Sequence, residues 1–222
     1  MEVLLIVAGV ALIAVIAYYS WLAAKKRREA FQTWSAAHGW NYISQRDRGT
    51  YERFRFLDKL NQGSNRYAFD RLSGEWEGRN AEAFTFHFET HSSDSKGHRR
   101  THHHYIGIVA ISIEREFPEL RIHPEGLFSK IGQFFGYDDI DFESVEFSKK
   151  FCVRSENKKL AFDFCNTGMM EYLLQHSKTA LELEGNTLAI YDANRLNPDE
   201  VEPYLNHLSK IRSLMPEYLF RD

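Results

Sequence analysis

The chain has 222 residues, 43% apolar and 14% aromatic, with 28 lysines and arginines against 31 aspartates and glutamates and a formal net charge of −3. That length carries one good core or two small ones, and the near-even charge excludes a general electrostatic attraction for nucleic acid. Two cysteines, Cys152 and Cys165, are too few for a disulfide framework or a zinc knuckle and read as reduced and buried.

From Val3 to Ala24 the run VLLIVAGVALIAVIAYYSWLAA carries no charge. At about 1.5 Å per residue it covers roughly 33 Å, enough for a bilayer core. Tyr18, Tyr19 and Trp21 fall at its far end, where amphipathic rings favour the headgroup level, and Lys25, Lys26, Arg27 and Arg28 follow at once. A cleaved signal peptide wants its positive charge before a shorter apolar core, the reverse of this order. The expectation is a single-pass protein of the inner (plasma) membrane, N-terminus outside. Its segments are an anchor over 1–24, a basic juxtamembrane helix over 25–39 and a cytoplasmic α+β domain over 40–222.

Within the juxtamembrane part, Ala30, Phe31, Trp34 and Ala37 recur at helical spacing, and Gly39 is placed to end the helix. WNYIS reads as a short strand, whereas TYERFRFLDKL is ambiguous between helix and strand. RYAFDRL, a break at SGEWEG and RNAEAFTFHFET give two strands. In the second, Phe84, Phe86 and Phe88 alternate with Thr85, His87 and Glu89, a half-buried pattern. After a polar loop, His102 to Ile113 forms a strand antiparallel to it. FPELRIHPE reads as a further short strand and GLFSKIGQFFG as a short helix ended by Gly136. DIDFES puts Asp139, Asp141 and Glu143 on the open side of a strand and Ile140 and Phe142 on its buried side. NKKLAFDFCNTGMMEYLLQH is one helix or two with a break near Gly168, and TALELEGNTLAIYDA reads as a hairpin turning at Gly185 and Asn186. Asn197, Pro198, Asp199 and Glu200 start a last helix with a core face of Val201, Tyr204, Leu205, Leu208 and Ile211. The fold class is α+β: a transmembrane helix, then one domain of antiparallel sheet with packed helices.

Chemistry is suggested first by HRRTHHHYIGIVAISI, where His98, His102, His103 and His104 fall within seven residues. If the turn centres near Ser95 and Lys96, His87 pairs with His104 and Glu89 with His102, placing three imidazoles and a carboxylate on one face as a metal set. A register one residue away pairs His87 with His103 and sends His102 and His104 to the opposite face. The row Asp139, Asp141 and Glu143 is a candidate partner-binding edge, and it lacks the glycine of a calcium loop. No nucleophile elbow, phosphate loop, dinucleotide turn or zinc-protease motif occurs, so no catalytic residue and no cofactor is indicated.

The succession FPELRIHPE, DIDFESVEFSKKFCV, KKLAFDFCNTGMMEYLL and LELEGNTLAIY, behind an anchor and WSAAHGWNY, resembles bacterial membrane-anchored proteins classed as an uncharacterised domain of unknown function. The likeness covers most of the chain after residue 30. It implies a fold-bearing module with no established activity and transfers no catalytic residue. The expected partners are the lipid bilayer and a protein, with no nucleic acid. The expected role is binding or scaffolding at the membrane, the alternatives being a metal-dependent hydrolase using the hairpin histidines and a lipid-surface sensor.

Overall fold

A computed structural model describes residues 2–93, 97–125 and 139–221. Helix α1, Glu2–His38, runs unbroken for 37 residues. Among the described residues it holds the one stretch long and apolar enough to cross a membrane, and that stretch is not buried in the domain. Gly39 ends it at φ +68°, a conformation open to glycine at no steric cost.

Then come β1 (Asn41–Ile43), α2 (Gly49–Phe54), a 3₁₀ turn (Asp58–Asn61), β2 (Ser64–Trp76), β3 (Arg79–Ser93) and β4 (Arg99–Pro124). The break expected at SGEWEG shrinks to Glu77 and Gly78, both at positive φ, because a two-residue turn of that type matches the twist of the flanking strands. After α3 (Val145–Lys150) and β5 (Phe151–Ser155) follow α4 (Lys158–Phe164), α5 (Thr167–Gln175), β6 (Ala180–Asp192) and α6 (Pro198–Leu214), with a closing 3₁₀ turn at Glu217–Phe220. The break between α4 and α5 falls at Asn166, whose side chain accepts from the Met169 amide and caps α5. At α6, Asn197 and Glu200 form a reciprocal capping box.

Among the described residues, six strands form one antiparallel sheet around β4, 26 residues long. β3 lies along the first part of one edge and β5 along the rest of it, while β6 lies along the other edge from Gly107↔Asp192 to Ile122↔Leu181. FPELRIHPE is therefore the continuation of β4 rather than a separate strand. The hairpin expected at Gly185 is also corrected. β6 passes straight through, and β4 bulges opposite it, with four residues between Ser112 and Phe117 against one between Thr187 and Gly185. Gly185, at φ +56°, serves a bulge and not a reversal.

Alternation along β3 feeds two cores. Ala81 and Ala83 face the larger one, shared with α1, α4, α5 and α6, and Phe84, Phe86 and Phe88 face a smaller one beneath α2 and the first 3₁₀ turn. The half-buried strand expected here is covered on both faces, since Thr85 and His87 are buried as well. DIDFES is irregular and not a strand, with Ser144 capping α3. The helix expected in GLFSKIGQFFG lies outside the described residues.

Candidate functional site

The juxtamembrane sequence puts its aromatic side chains on the sheet. Phe31, fully buried, stacks on Tyr42 at 5.4 Å, and Trp34 meets Trp40 edge-on at 5.2 Å. Ala30 and Ala37, expected on that face, are exposed, and Ser35 is buried instead. One turn nearer the apolar segment, Arg27 Nε donates to Asp70 Oδ2 at 2.9 Å and its terminal nitrogen to Thr85 Oγ1 at 3.3 Å. Tyr42 donates its hydroxyl to the other Asp70 oxygen at 2.7 Å. Burial and the Asp70 carboxylate together push the Tyr42 hydroxyl well above the ordinary tyrosine range. Thr85 Oγ1 also accepts from the Leu196 amide at 3.2 Å, which ties in the loop before α6.

These contacts fall in order: His38 at Trp76, Phe31 at Tyr42 (itself paired with Leu72), Arg27 at Asp70. α1 therefore runs alongside β2, and the apolar segment leaves from the end of the sheet where β2 and β4 begin and β3 ends. Of the expected membrane-interface residues, Tyr18, Tyr19, Trp21, Lys25, Lys26 and Arg28 are exposed on α1. Arg27 is turned into the domain.

The histidines lie at that same end. The register is His87↔Tyr105, Glu89↔His103 and Thr90↔His102. Because side chains alternate, His87, Glu89 and His103 share one face, and His102 and His104 go to the other. The expected set of His87, Glu89, His102 and His104 is thus split two and two, with His103 taking the place of the displaced pair. His87 Nε2 lies 3.1 Å from His103 Nδ1, which is 3.4 Å from Glu89 Oε1. Burial lowers the His87 pKa, and the hydrogen bond from Asn65 lowers that of Glu89. On the opposite face His104 stacks on Phe88 at 4.8 Å and contacts Thr90 Oγ1, and His102 contacts Ser92 Oγ.

A cleft of about 330 Å³ opens beside the ribbon, bounded by Lys59, Phe88, His104, Tyr191, Asp192 and Arg195, with the Arg195 guanidinium 3.9 Å from the Tyr105 ring centre.

The acids expected in a row are not in one. Asp139 accepts from Cys152 Sγ at 2.8 Å and from Arg154 Nε at 2.6 Å, and Asp141 and Glu143 stand exposed on irregular chain. Burial works against ionisation of Asp139, but the bonds from Cys152 and Arg154 hold it below the usual carboxylate range. Burial and the same carboxylate push the Cys152 thiol up to about 12, and burial raises Cys165 too, so neither is poised as a nucleophile.

No family model matches the chain, and no curated protein matches it in sequence. Among solved structures it is similar to the crystal structure of the mycobacterial trehalose monomycolate transport factor A, TtfA, with a TM-score of 0.58 at 14% identity, over 86% of this chain and 95% of that one. At that identity the likeness is one of fold alone.

Proposed function

We propose that the chain is a single-pass membrane protein whose α+β domain lies in the cytoplasm and binds or scaffolds a protein partner at the membrane surface. The observation that carries this reading is the unbroken α1, apolar up to Ala24 and fastened to the sheet from Arg27 onward. A stalk built this way holds the domain close to the bilayer and in a fixed attitude, which raises its concentration near any partner in the same membrane. The positive residues after Ala24 support the cytoplasmic assignment. The proposal also groups the chain with the bacterial membrane-anchored proteins of unknown function that its sequence resembles.

The fold neighbour is described as a transport factor, and that supports a membrane-tethered module for this chain. The exposed acids Asp141 and Glu143 are the proposed partner contacts, and Asp139 is engaged by Arg154 within the domain. The test has two arms. A reporter active only after export, fused after the last residue, stays silent if the domain is cytoplasmic. In a deletion strain, the full chain and a version with a foreign transmembrane helix of the same orientation restore the phenotype, and the domain released from the membrane does not. Export of the reporter, or full rescue by the released domain, refutes the reading.

A further inference from the structure

The geometry points to a binding site for one transition-metal ion of the zinc class, formed by His87 Nε2, Glu89 Oε1 and His103 Nδ1. The inference is independent of the membrane reading. The three atoms are separated by 3.1, 3.4 and 4.0 Å. Ligand atoms on a tetrahedral zinc with bonds of about 2.0–2.1 Å stand about 3.3–3.4 Å apart, so small side-chain shifts close the set around an ion.

The donors are also aimed. His87 Nδ1 lies 3.1 Å from the Asn65 carbonyl oxygen, so the tautomer made by that bond carries its proton on Nδ1 and turns the Nε2 lone pair towards His103 and Glu89. The side-chain Nδ2 of the same Asn65 donates to Glu89 Oε1 at 2.7 Å. One residue thus orients two of the three ligands, as outer partners do at metal centres. Asn65 itself is held at φ +48°, a conformation that asparagine tolerates better than most residues. The His87 ring is stacked on Tyr67 at 4.4 Å and lies 5.2 Å from Tyr105, which leaves it little freedom to turn away.

Two imidazoles and one carboxylate suit zinc and its neighbours, whereas magnesium and calcium prefer all-oxygen shells. With His87 Nε2 accepting, its hydrogen bond to His103 places the His103 proton on Nδ1; binding of the ion uses the Nδ1 lone pair instead, and the neutral ring then carries its proton on Nε2. The His103 side chain is 55% exposed against 2% for His87, so an ion enters from the His103 side and keeps its fourth position open to water.

The test uses the full chain in detergent micelles, stripped with chelator and titrated with Zn²⁺ against a chromogenic indicator. One ion per chain binds with a dissociation constant below about 100 µM. His103→Ala, at an exposed position, and Glu89→Gln each weaken binding by about tenfold or more. The double variant His102→Asn/His104→Asn binds like the wild type, because its side chains are on the other face. Zn²⁺ raises the melting temperature of the wild type and not of His103→Ala. Co²⁺ gives a spectrum free of thiolate charge-transfer bands. The inference is overturned by absence of saturable binding, by equal binding in His103→Ala, by loss of binding in the double variant, or by a thiolate band assigning the ion to Cys152.

Discussion

Arg27 and Asp70, 43 residues apart in the chain, meet at 2.9 Å and fasten the apolar helix to the sheet. The carboxylate is almost fully enclosed, and Tyr42 is its other side-chain donor. Arg27→Ala leaves that charge short of a partner and is expected to cost about 1.5–3 kcal/mol, the range for a hydrogen bond to a charged group. Asp70→Asn in the same chain recovers part of the loss, because the buried charge is then gone. Denaturant midpoints of the two variants in micelles check both statements.

Gly74 has a Trp40 ring where its side chain would be: an added Cβ falls 2.5–2.6 Å from three ring atoms. Gly74→Ala must displace the indole, which also donates to the Glu75 carbonyl at 3.1 Å. The expected cost is about 1–3 kcal/mol, as for other overpacked sites, read as a lowered midpoint with an unchanged denaturant slope.

In the metal-free protein the histidines should separate by face and depth. His87→Asn removes a buried ring that contacts the Asn65 carbonyl, at a cost of about 1–3 kcal/mol. His102→Asn, exposed on the other side of the ribbon, should change stability by less than about 0.5 kcal/mol. Equal effects would contradict the register of β3 and β4.

Stability should fall as the medium turns mildly acidic. Burial, with His176 adding to it, holds His207 at about 4, and its ring nitrogens contact Tyr172 and Thr179 hydroxyls. Burial and the nearby Lys59 hold His123 at about 4 as well. Between the unfolded value of about 6.5 and that folded value, the unfolded chain takes up protons that the folded one refuses. The contribution is complete above about pH 6.5, declines as pH drops to about 4 and is flat below that. Glu114, held at about 2 by Arg212 and Arg79 although burial opposes this, acts only at lower pH. Melting temperatures measured from pH 7 to 4 should fall, and His207→Gln should flatten part of the slope.

What was legible in the sequence follows from where the controlling forces sit. The long apolar helix, the β3–β4 pairing and the Asn197 cap depend on local periodicity and capping chemistry, and each can be read within a short window. The ribbon register cannot, because the loop between its strands has no turn signature, and one residue of slip exchanges His103 for the His102 and His104 pair. Gly185–Asn186 misleads for the opposite reason. It is a good turn signal, yet β4, distant in sequence, supplies a bulge opposite it and keeps the strand straight. Asp70 and Thr85 carried no signal of their own, since their partner Arg27 reads as one of four basic residues after an anchor.

An unbroken stalk has a helical phase. One residue inserted between Ala24 and Lys25 lengthens α1 by about 1.5 Å, a trivial lift, yet turns everything beyond it by about 100° about the helix axis. Because Arg27 and Phe31 clamp the sheet to that axis, the domain must turn with it, like a flag on its pole. Under the proposed membrane topology, the side of the sheet presented to neighbours in the bilayer plane is set by residue count within α1, and insertions of one to four alanines would sweep it through a full revolution.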